Sequence, residues 1–401
     1  MSNQIVPLSS LSIGGKGTYG IAASAVPFSS DKYTYLRITD INDDGTLNLS
    51  DLKSVDDPDA DKYILRPNDI VFARTGASTG RNYFYDGNDG IFVYAGFLIK
   101  FSIDPNKVNP QYIKYFCLSQ KYRDWIHSFN TGSTRGNINE RTLAQMPVDL
   151  PSREQQDLLV NVLSKLDEKI KLNNQINRNL EEQAQAIFKN WFIDFEPFSG
   201  EMPNGWREIS LKECCSSITD GVHNTVVDDS NGDFYLLSCK NIKGGILSIG
   251  TDERRINKDT FDKLRKRTKL AKGDILLSSV GTVGEMLLLN HSPDNFEFQR
   301  SVAIIRANLD IVSPHFLYNS LISQKDAIVN AAHGAVQQCI FLSDIGDFKI
   351  ILPTHEYMER YTDLVVPYFN EITKNQDESQ YLTAIRDAML PKLMSGEISV
   401  V

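Results

Sequence analysis

The residues whose types and spacing come nearest to a catalytic centre are Asn109-Pro110-Gln111-Tyr112. An Asn-Pro-Pro-Tyr loop can hold a flipped base for transfer of a methyl group to its amino nitrogen. Here the second Pro is missing and no Gly-rich cofactor loop after a strand precedes it, whereas Asn-Pro at a helix start accounts for the same residues. Gly14-Gly15-Lys16-Gly17-Thr18 lacks the Gly-x4-Gly-Lys-Ser/Thr spacing of a phosphate loop. Pro58-Asp59 and Pro293-Asp294 start like nuclease carboxylate motifs, but neither is followed by an acidic residue and a Lys at workable spacing. The six His (His127, His223, His291, His315, His333, His355) form no His-x3-His or His/Cys cluster for a metal. A Ser/His/Asp arrangement meets only in space, so one sequence neither builds nor excludes it. The expectation is a chain without its own catalytic centre, metal or cofactor.

Recognition chemistry is better represented. A net charge of −9 argues against nonspecific coating of nucleic acid, because phosphate contacts need Lys and Arg, yet it leaves room for a local basic face. The run Lys263-Leu264-Arg265-Lys266-Arg267-Thr268-Lys269-Leu270-Ala271-Lys272 carries six positive charges and no acid, and reads either as a phosphate-binding surface or as a solvated helix face. In the first half, Arg66, Arg74, Arg81 and Arg135 sit among Thr75, Ser78, Thr79, Ser133 and Thr134, whose hydroxyls suit phosphate contacts while Arg suits guanine edges. The second half offers Ser278, Ser279 and Thr282, and Gln337 and Gln338, a side chain that pairs with adenine in the major groove. Lys16 and Tyr19 complete the candidate DNA-contacting set, with Arg265, Lys266 and Arg267 from the basic run. Each of these residues alone also fits an ordinary polar surface.

The elements that must position these residues occur twice. A seam with alternating steps of four and three runs Leu159, Leu163, Leu166, Ile170, Asn173, Asn177, Leu180, Ala184, Ile187, Trp191. It recurs without a gap as Tyr361, Val365, Tyr368, Ile372, Asn375, Ser379, Leu382, Arg386, Met389, Leu393, at a constant offset of 202 (361 − 159). Such steps keep one stripe on one side of a helix, as in a coiled coil. The polar Asn173 and Asn375 at matching positions give up stability in return for register and partner choice.

Upstream the echo continues with small shifts. Tyr35 to Ile41 answers Tyr235 to Ile242, and Pro67 to Gly76 answers Ala271 to Gly281, each reading as turn, buried strand and Gly-bearing loop. Asn109-Pro110 and Ser313-Pro314 both place a capping residue before Pro at a helix start. Thr131 to Arg135 answers His333 to Gln337, and Met146 to Pro151 answers Phe348 to Pro353, after which each long helix begins. Strand signals at Ile70 to Ala73, Ile91 to Ile99, Ile275 to Ser278 and Val302 to Ile305 interleave with helices, so the domains are expected to be α/β or α+β.

A length of 401 residues fits two to three units, and about 150 residues per repeat suffices for a separate core. Hydrophobic content of 41% and charge of 23% are ordinary for a soluble protein. No apolar run approaches the ~18 residues of a membrane span, so no membrane partner is expected. The five cysteines include no CxxC pair; they read as reduced thiols, and the chain as cytoplasmic.

The order domain, helix, domain, helix resembles the specificity subunit of type I restriction-modification systems. The resemblance rests on Tyr35-Leu36-Arg37-Ile38-Thr39-Asp40-Ile41, on Leu150-Pro151 through Glu154-Gln155 to Leu166-Asp167, and on the half-matching Leu352-Pro353 with Glu356. Lys16-Gly17-Thr18-Tyr19-Gly20 and Gly132-Ser133-Thr134-Arg135 are also similar, so that it covers essentially the whole chain. Two departures stand out: Tyr357 replaces the Gln of the second helix start, and Pro367 falls inside the second helical pattern, where it should kink the helix or delay its start.

The resemblance implies two α/β (or α+β) recognition domains joined by two long antiparallel coiled-coil helices in an internal pseudo-twofold repeat. The expected boundaries are 1–151 and 196–353 for the recognition domains, 152–195 and 354–396 for the spacer helices, and 397–401 for a tail. A helix from Ser152 to Phe192 would span about 60 Å, enough to hold two readers over separate halves of an asymmetric, bipartite site on double-stranded DNA. The resemblance also implies as partners two modification (methyltransferase) subunits using S-adenosylmethionine and restriction subunits using ATP and Mg. Leu172, Ile176 and Phe188 are candidates for docking them, with burial against their own domains as the alternative. The competing readings are a protein-protein interaction scaffold and a single-chain DNA methyltransferase or nuclease.

Overall fold

The computed structural model of the chain describes residues 4–49, 51–129, 137–223, 225–250, 253–334, 338–395 and 397. It divides into two compact units, Met1–Lys171 with Ser379–Val401, and Leu172–Glu378. Each unit holds one recognition domain together with about half of each long helix.

In the first unit, the strand Gln4–Pro7 pairs antiparallel with Pro147–Leu150, Val6 opposite Val148, and so ties the chain start to the segment that enters the first long helix. A four-stranded antiparallel sheet orders Thr18–Tyr19, Leu98–Ser102, Asp69–Ala73 and Asn82–Tyr85. Asp69–Ala73 is buried along its whole length, and side-chain alternation explains its unbroken apolar run. Ile70 and Phe72 enter one core with Tyr112, Ile113 and Leu163, while Val71 and Ala73 enter another with Leu36, Phe92 and Tyr94. The buried Asp69 carboxylate opens this strand, held by the Arg66 backbone N–H at 2.8 Å and the Lys100 ammonium at 3.1 Å. A second sheet orders Ala25–Pro27, Lys53–Val55, Tyr33–Leu36 and Phe92–Tyr94, with its last pair parallel.

The single strand expected over Ile91 to Ile99 is therefore two strands in different sheets. The chain turns at Ala95-Gly96-Phe97, where Leu98 N–H donates to Ala95 C=O at 2.8 Å and Ile21 N–H donates to Tyr94 C=O at 3.0 Å. Apolar continuity concealed the break, since both strands are buried.

The second unit repeats the plan. Arg207–Ser210 pairs with Lys349–Leu352, and an antiparallel sheet orders Cys215–Asp220, Val302–Ala307, Ile275–Ser278 and Met286–Leu288. Phe234–Leu237 lies between Arg255–Ile256 and a parallel Phe296–Phe298. Asp274 repeats the part of Asp69, accepting from Ala271 N–H at 2.9 Å and from Arg306 twice at 2.7 Å. Mostly antiparallel sheets with separate helices make both domains α+β.

The first long helix, Arg153–Phe192, opens on a capping box: Ser152 N–H donates to Gln155 Oε1 at 3.2 Å and Gln155 N–H donates to Ser152 Oγ at 3.4 Å. The second, His355–Ser395, starts without delay and runs through Pro367, which is exposed, so solvent can take the carbonyl that Pro leaves free. Tyr357, in place of the capping Gln, packs edge-on against Phe198 and Trp206. Every seam position from Leu159 to Trp191 and from Tyr361 to Leu393 is buried or half-buried.

Within the second unit the helices run antiparallel. Tyr361 Oη donates to Ala184 C=O at 3.3 Å, Asn177 Nδ2 to Ile372 C=O at 3.4 Å, and Asn375 Nδ2 to Asn177 Oδ1 at 2.9 Å. Asn173, fully buried, donates to Glu378 at 2.8 Å. In the first unit Asp167 gathers Lys114 at 2.6 Å, Tyr115 at 2.9 Å and the seam residue Arg386 at 3.0 Å. Burial raises the Asp167 carboxyl, but the two cations outweigh it and hold the carboxyl below its ordinary value. Phe188 is not a docking residue: it lies in the core against Phe192, Phe316 and Tyr361, whereas Leu172 and Ile176 are 49% and 37% exposed. Among the described residues no helix is long and apolar enough to cross a membrane.

Candidate nucleic-acid interface

The loop after each central strand is built on the same backbone frame. In the first unit Arg74 N–H donates to Phe97 C=O at 3.1 Å, Ile138 N–H donates to Arg74 C=O at 2.9 Å, and Thr75 bridges Asn137. In the second unit Ser279 N–H donates to Ser301 C=O at 2.9 Å, Ile340 N–H donates to Ser279 C=O at 2.9 Å, and Val280 bridges Cys339. A pair of glycines completes the shared frame. Gly20 N–H donates to Leu98 C=O and Gly221 N–H to Val302 C=O, at 3.1 and 3.0 Å. A Cβ on Gly20 would stand 2.3 Å from the carbonyl oxygens of Tyr94 and Ala95, and one on Gly221 2.2 Å from those of Phe298 and Gln299. Only glycine permits these backbone approaches.

On this frame the side chains differ. In the first unit the Arg74 guanidinium lies 5.2 Å from the centre of the exposed Tyr19 ring, and its Nε is buried without a hydrogen-bond partner among the described residues. Tyr19 is itself fixed, since its Oη accepts from Glu140 N–H at 3.1 Å while Glu140 accepts from Gly17 N–H at 2.9 Å. Phe97, bonded to Arg74 through its backbone, is 58% exposed. The ensemble offers a cation, two exposed aromatic faces and the Thr75 hydroxyl on one rigid loop pair, the equipment for base-edge and stacking contacts. In the second unit Ser279 replaces Arg74, Asp220 stands before the glycine where Tyr19 does in the first, and Arg300 and Ser301 occupy the turn of Gly96 and Phe97.

A family model described as the type I restriction modification DNA specificity domain matches this chain twice, over residues 26–182 and 203–384. The chain belongs to the type I restriction-modification DNA specificity family. Among similar proteins, the type I restriction enzyme MjaIX specificity subunit of Methanocaldococcus jannaschii is 27% identical over 74% of this chain and 71% of its own length. The HindI specificity subunit of Haemophilus influenzae is 24% identical over 92% of this chain and 96% of its own. The S subunit of a type I restriction-modification system from M. genitalium covers 98% of this chain and 99% of its own at 16% identity, with a TM-score of 0.53, which establishes a shared fold.

The specificity domains separate the remaining candidates into free and engaged groups. Lys16, Lys266, Thr282 and Gln338 are exposed. Arg81 is clamped by Asp43 at 2.7 and 3.1 Å and donates to Ile41 C=O at 3.2 Å. Ser78 and Ser279 are buried, and Ser278 donates to Thr282 C=O at 2.6 Å, so these hydroxyls shape loops. Thr79 donates to Gly76 C=O at 2.8 Å. Ser133, Thr134, Arg135 and Gln337 lie outside the described residues.

The basic run splits similarly. It forms the end of the helix Lys258–Thr268, closed by Lys269 in the left-handed conformation at φ 50°. Arg265 turns inward: it pairs with the fully buried Glu297, donates to Phe296 C=O at 2.9 Å and lies over Phe261. Burial raises the Glu297 carboxyl against the opposing pull of Arg265 and Thr268. Arg265 is thus a structural ion-pair residue, a correction to its place among the DNA contacts. Arg267 donates to Gly221 C=O at 2.7 Å and to Asp220 at 3.1 Å, so it braces the glycine frame. Asn109 is likewise structural, its side chain capping a helix through Gln111 N–H at 3.1 Å. Among the described residues no cluster of His, Cys, Asp and Glu is placed to hold a metal.

Phe97 and Arg300 were not singled out by sequence. The repeat held the signal, because Gly96 and Phe97 align with Arg300 and Ser301 at an offset of 204 (301 − 97), and the exposed guanidinium of Arg300 has no partner among the described residues.

Proposed function

We propose that this chain is the non-catalytic DNA-reading subunit of a type I restriction-modification complex. Each recognition domain reads one half of an asymmetric, bipartite duplex site, the first through Arg74, Tyr19, Thr75 and Phe97, the second through Arg300, Lys266, Thr282 and Gln338. The observation that carries this reading is one backbone frame, used twice, with different side chains at matching loop positions: Arg74 against Ser279, and Phe97 against Ser301. A shared frame presents both loops in the same way, and unlike side chains select unlike bases.

The long helices, 40 and 41 residues, are the ruler that sets the distance between half-sites and the dock for two modification subunits. Methyl transfer from S-adenosylmethionine, and ATP- and Mg-dependent cleavage, belong to the modification and restriction subunits in the cytoplasm. The test is selection of DNA by the chain assembled with modification subunits. Enrichment of two specified blocks around a fixed unspecified gap supports the reading, and enrichment of no sequence supports a protein-binding scaffold instead. Methylation or cutting by the purified chain alone would make it an enzyme.

A further inference from the structure

A cavity of about 190 Å³ in the second unit has no part in the DNA-reading surface. Its walls come from the first long helix (Glu181, Gln185), the hairpin turn Gly244-Gly245, the strand end at Glu285 and Met286, the helix Pro314–Ser323 (Tyr318, Asn319, Ile322), Lys325 just after it, and Phe369 of the second long helix. Both turn glycines have positive φ, 53° and 72°, as a two-residue hairpin turn demands. The missing side chain at Gly245 also keeps the cavity open, for a Cβ there would stand 3.2 Å from Glu181 Oε1 and 3.5 Å from Tyr318 Oη.

Two polar groups thus converge on one spot. Among the described residues the Glu181 carboxylate has no hydrogen-bond or ion-pair partner. Tyr318 is 6% exposed, and its hydroxyl likewise has no partner. The neighbouring carboxylate is different: Glu285 is neutralised by Lys325 at 2.6 Å and accepts from Gly244 N–H at 2.7 Å. The cavity therefore holds one uncompensated carboxylate. Burial, aided by Glu182, pushes its carboxyl up to about 7.

We propose that this cavity binds an alkylguanidinium group, its fork on the Glu181 carboxylate and Tyr318 hydroxyl and its plane against the Phe369 ring. A half-buried carboxylate without a counter-charge of its own attracts a cation. The walls choose among cations: Phe369 and Tyr318 meet edge-on with ring centres 5.8 Å apart, and Met286 and Ile322 are apolar. A planar, weakly hydrated guanidinium suits such a lining better than a compact, strongly hydrated ammonium. The group reaches the cavity either on a free small molecule or as an arginine side chain of a protein partner.

The test titrates the full chain with n-butylguanidinium and with the neutral isostere n-butylurea by calorimetry. The guanidinium binds and the urea does not; Glu181→Gln weakens binding roughly tenfold or more, the loss expected for a charge-assisted contact, and Ile322→Trp, which fills the cavity from its wall, abolishes it. Glu181→Gln does not lower the melting temperature, because the carboxylate has no partner to lose. Equal affinity for the urea, unchanged affinity in Glu181→Gln, or no binding at millimolar probe overturns the proposal. Native mass spectrometry separates the sources. A guanidinium-bearing mass that travels with the chain and is lost in Glu181→Gln supports a free ligand, and probe binding without such a mass supports an arginine side chain.

Discussion

Replacing Arg265 by Met separates a structural cation from a DNA-reading one. Glu297 is fully buried and keeps only Thr268 Oγ1, at 2.9 and 3.0 Å, as a side-chain partner once Arg265 is gone. Stranding one partner of a buried ion pair costs about 3–5 kcal/mol. In a domain of this size each kcal/mol is worth about 2–4 °C, so the melting temperature of the second unit should fall by roughly 6–20 °C. The assay is differential scanning calorimetry of the full chain, paired with DNA binding at a temperature where the variant is folded. Arg265→Met combined with Glu297→Leu should recover most of the loss, because an apolar pair needs no counter-charge. Lys266→Ala, one residue away and exposed, should leave stability within about 0.5 kcal/mol and weaken DNA binding. An Arg265→Met variant that melts like the parent yet loses DNA affinity would refute the argument and return Arg265 to the interface.

The Glu181 carboxyl has an unfolded value of 4.5 and a folded value of about 7, so between those values the unfolded chain binds fewer protons and folding stability drops as pH rises. Glu181→Gln should lack this decline and exceed the parent by up to about 3 kcal/mol at pH 8 while matching it near pH 4, as read by urea unfolding at each pH. Gly20→Ala and Gly221→Ala should each destabilise only their own unit, by about 1–3 kcal/mol or more, since both glycines abut backbone carbonyls that cannot yield, and calorimetry with resolved transitions checks this. Asn375→Ala removes the donor to buried Asn177 Oδ1 and should cost about 1–3 kcal/mol in urea unfolding. Arg74→Ala should cost about 1–3 kcal/mol of discrimination at one half-site, measured by competition binding with single-base variants of the selected DNA.

Sequence made the scaffold legible because its constraints are periodic. The ungapped 4-3 seam located both helices, and its three asparagines are buried, with Asn375 bonded to Asn177. Asp69 and Asp274 opened their strands in matching turns, and Asn109-Pro110 and Ser313-Pro314 capped their helices. What sequence concealed was pairing across the fold. Arg265 lies in a basic run without acids that reads as a phosphate-binding or solvated face, and its partner Glu297 arrives from a strand some thirty residues later (297 − 265). Asp43 likewise engages Arg81 across 38 positions, in a pair that stays at the surface. Phe188 sits one place off the seam, yet the domain packs on both sides of that stripe and buries it. Phe97 was hidden inside a segment that reads as one strand, because apolar continuity does not distinguish one buried strand from two.

Mapping DNA methylation genome-wide in a host that carries this chain with the modification subunits proposed above tests whether one repeated frame carries two different readers. The expected motif has two unlike specified blocks at a fixed spacing, with Arg74→Ala relaxing one block and Arg300→Ala relaxing only the other. A single contiguous motif, or one variant altering both blocks, would contradict it.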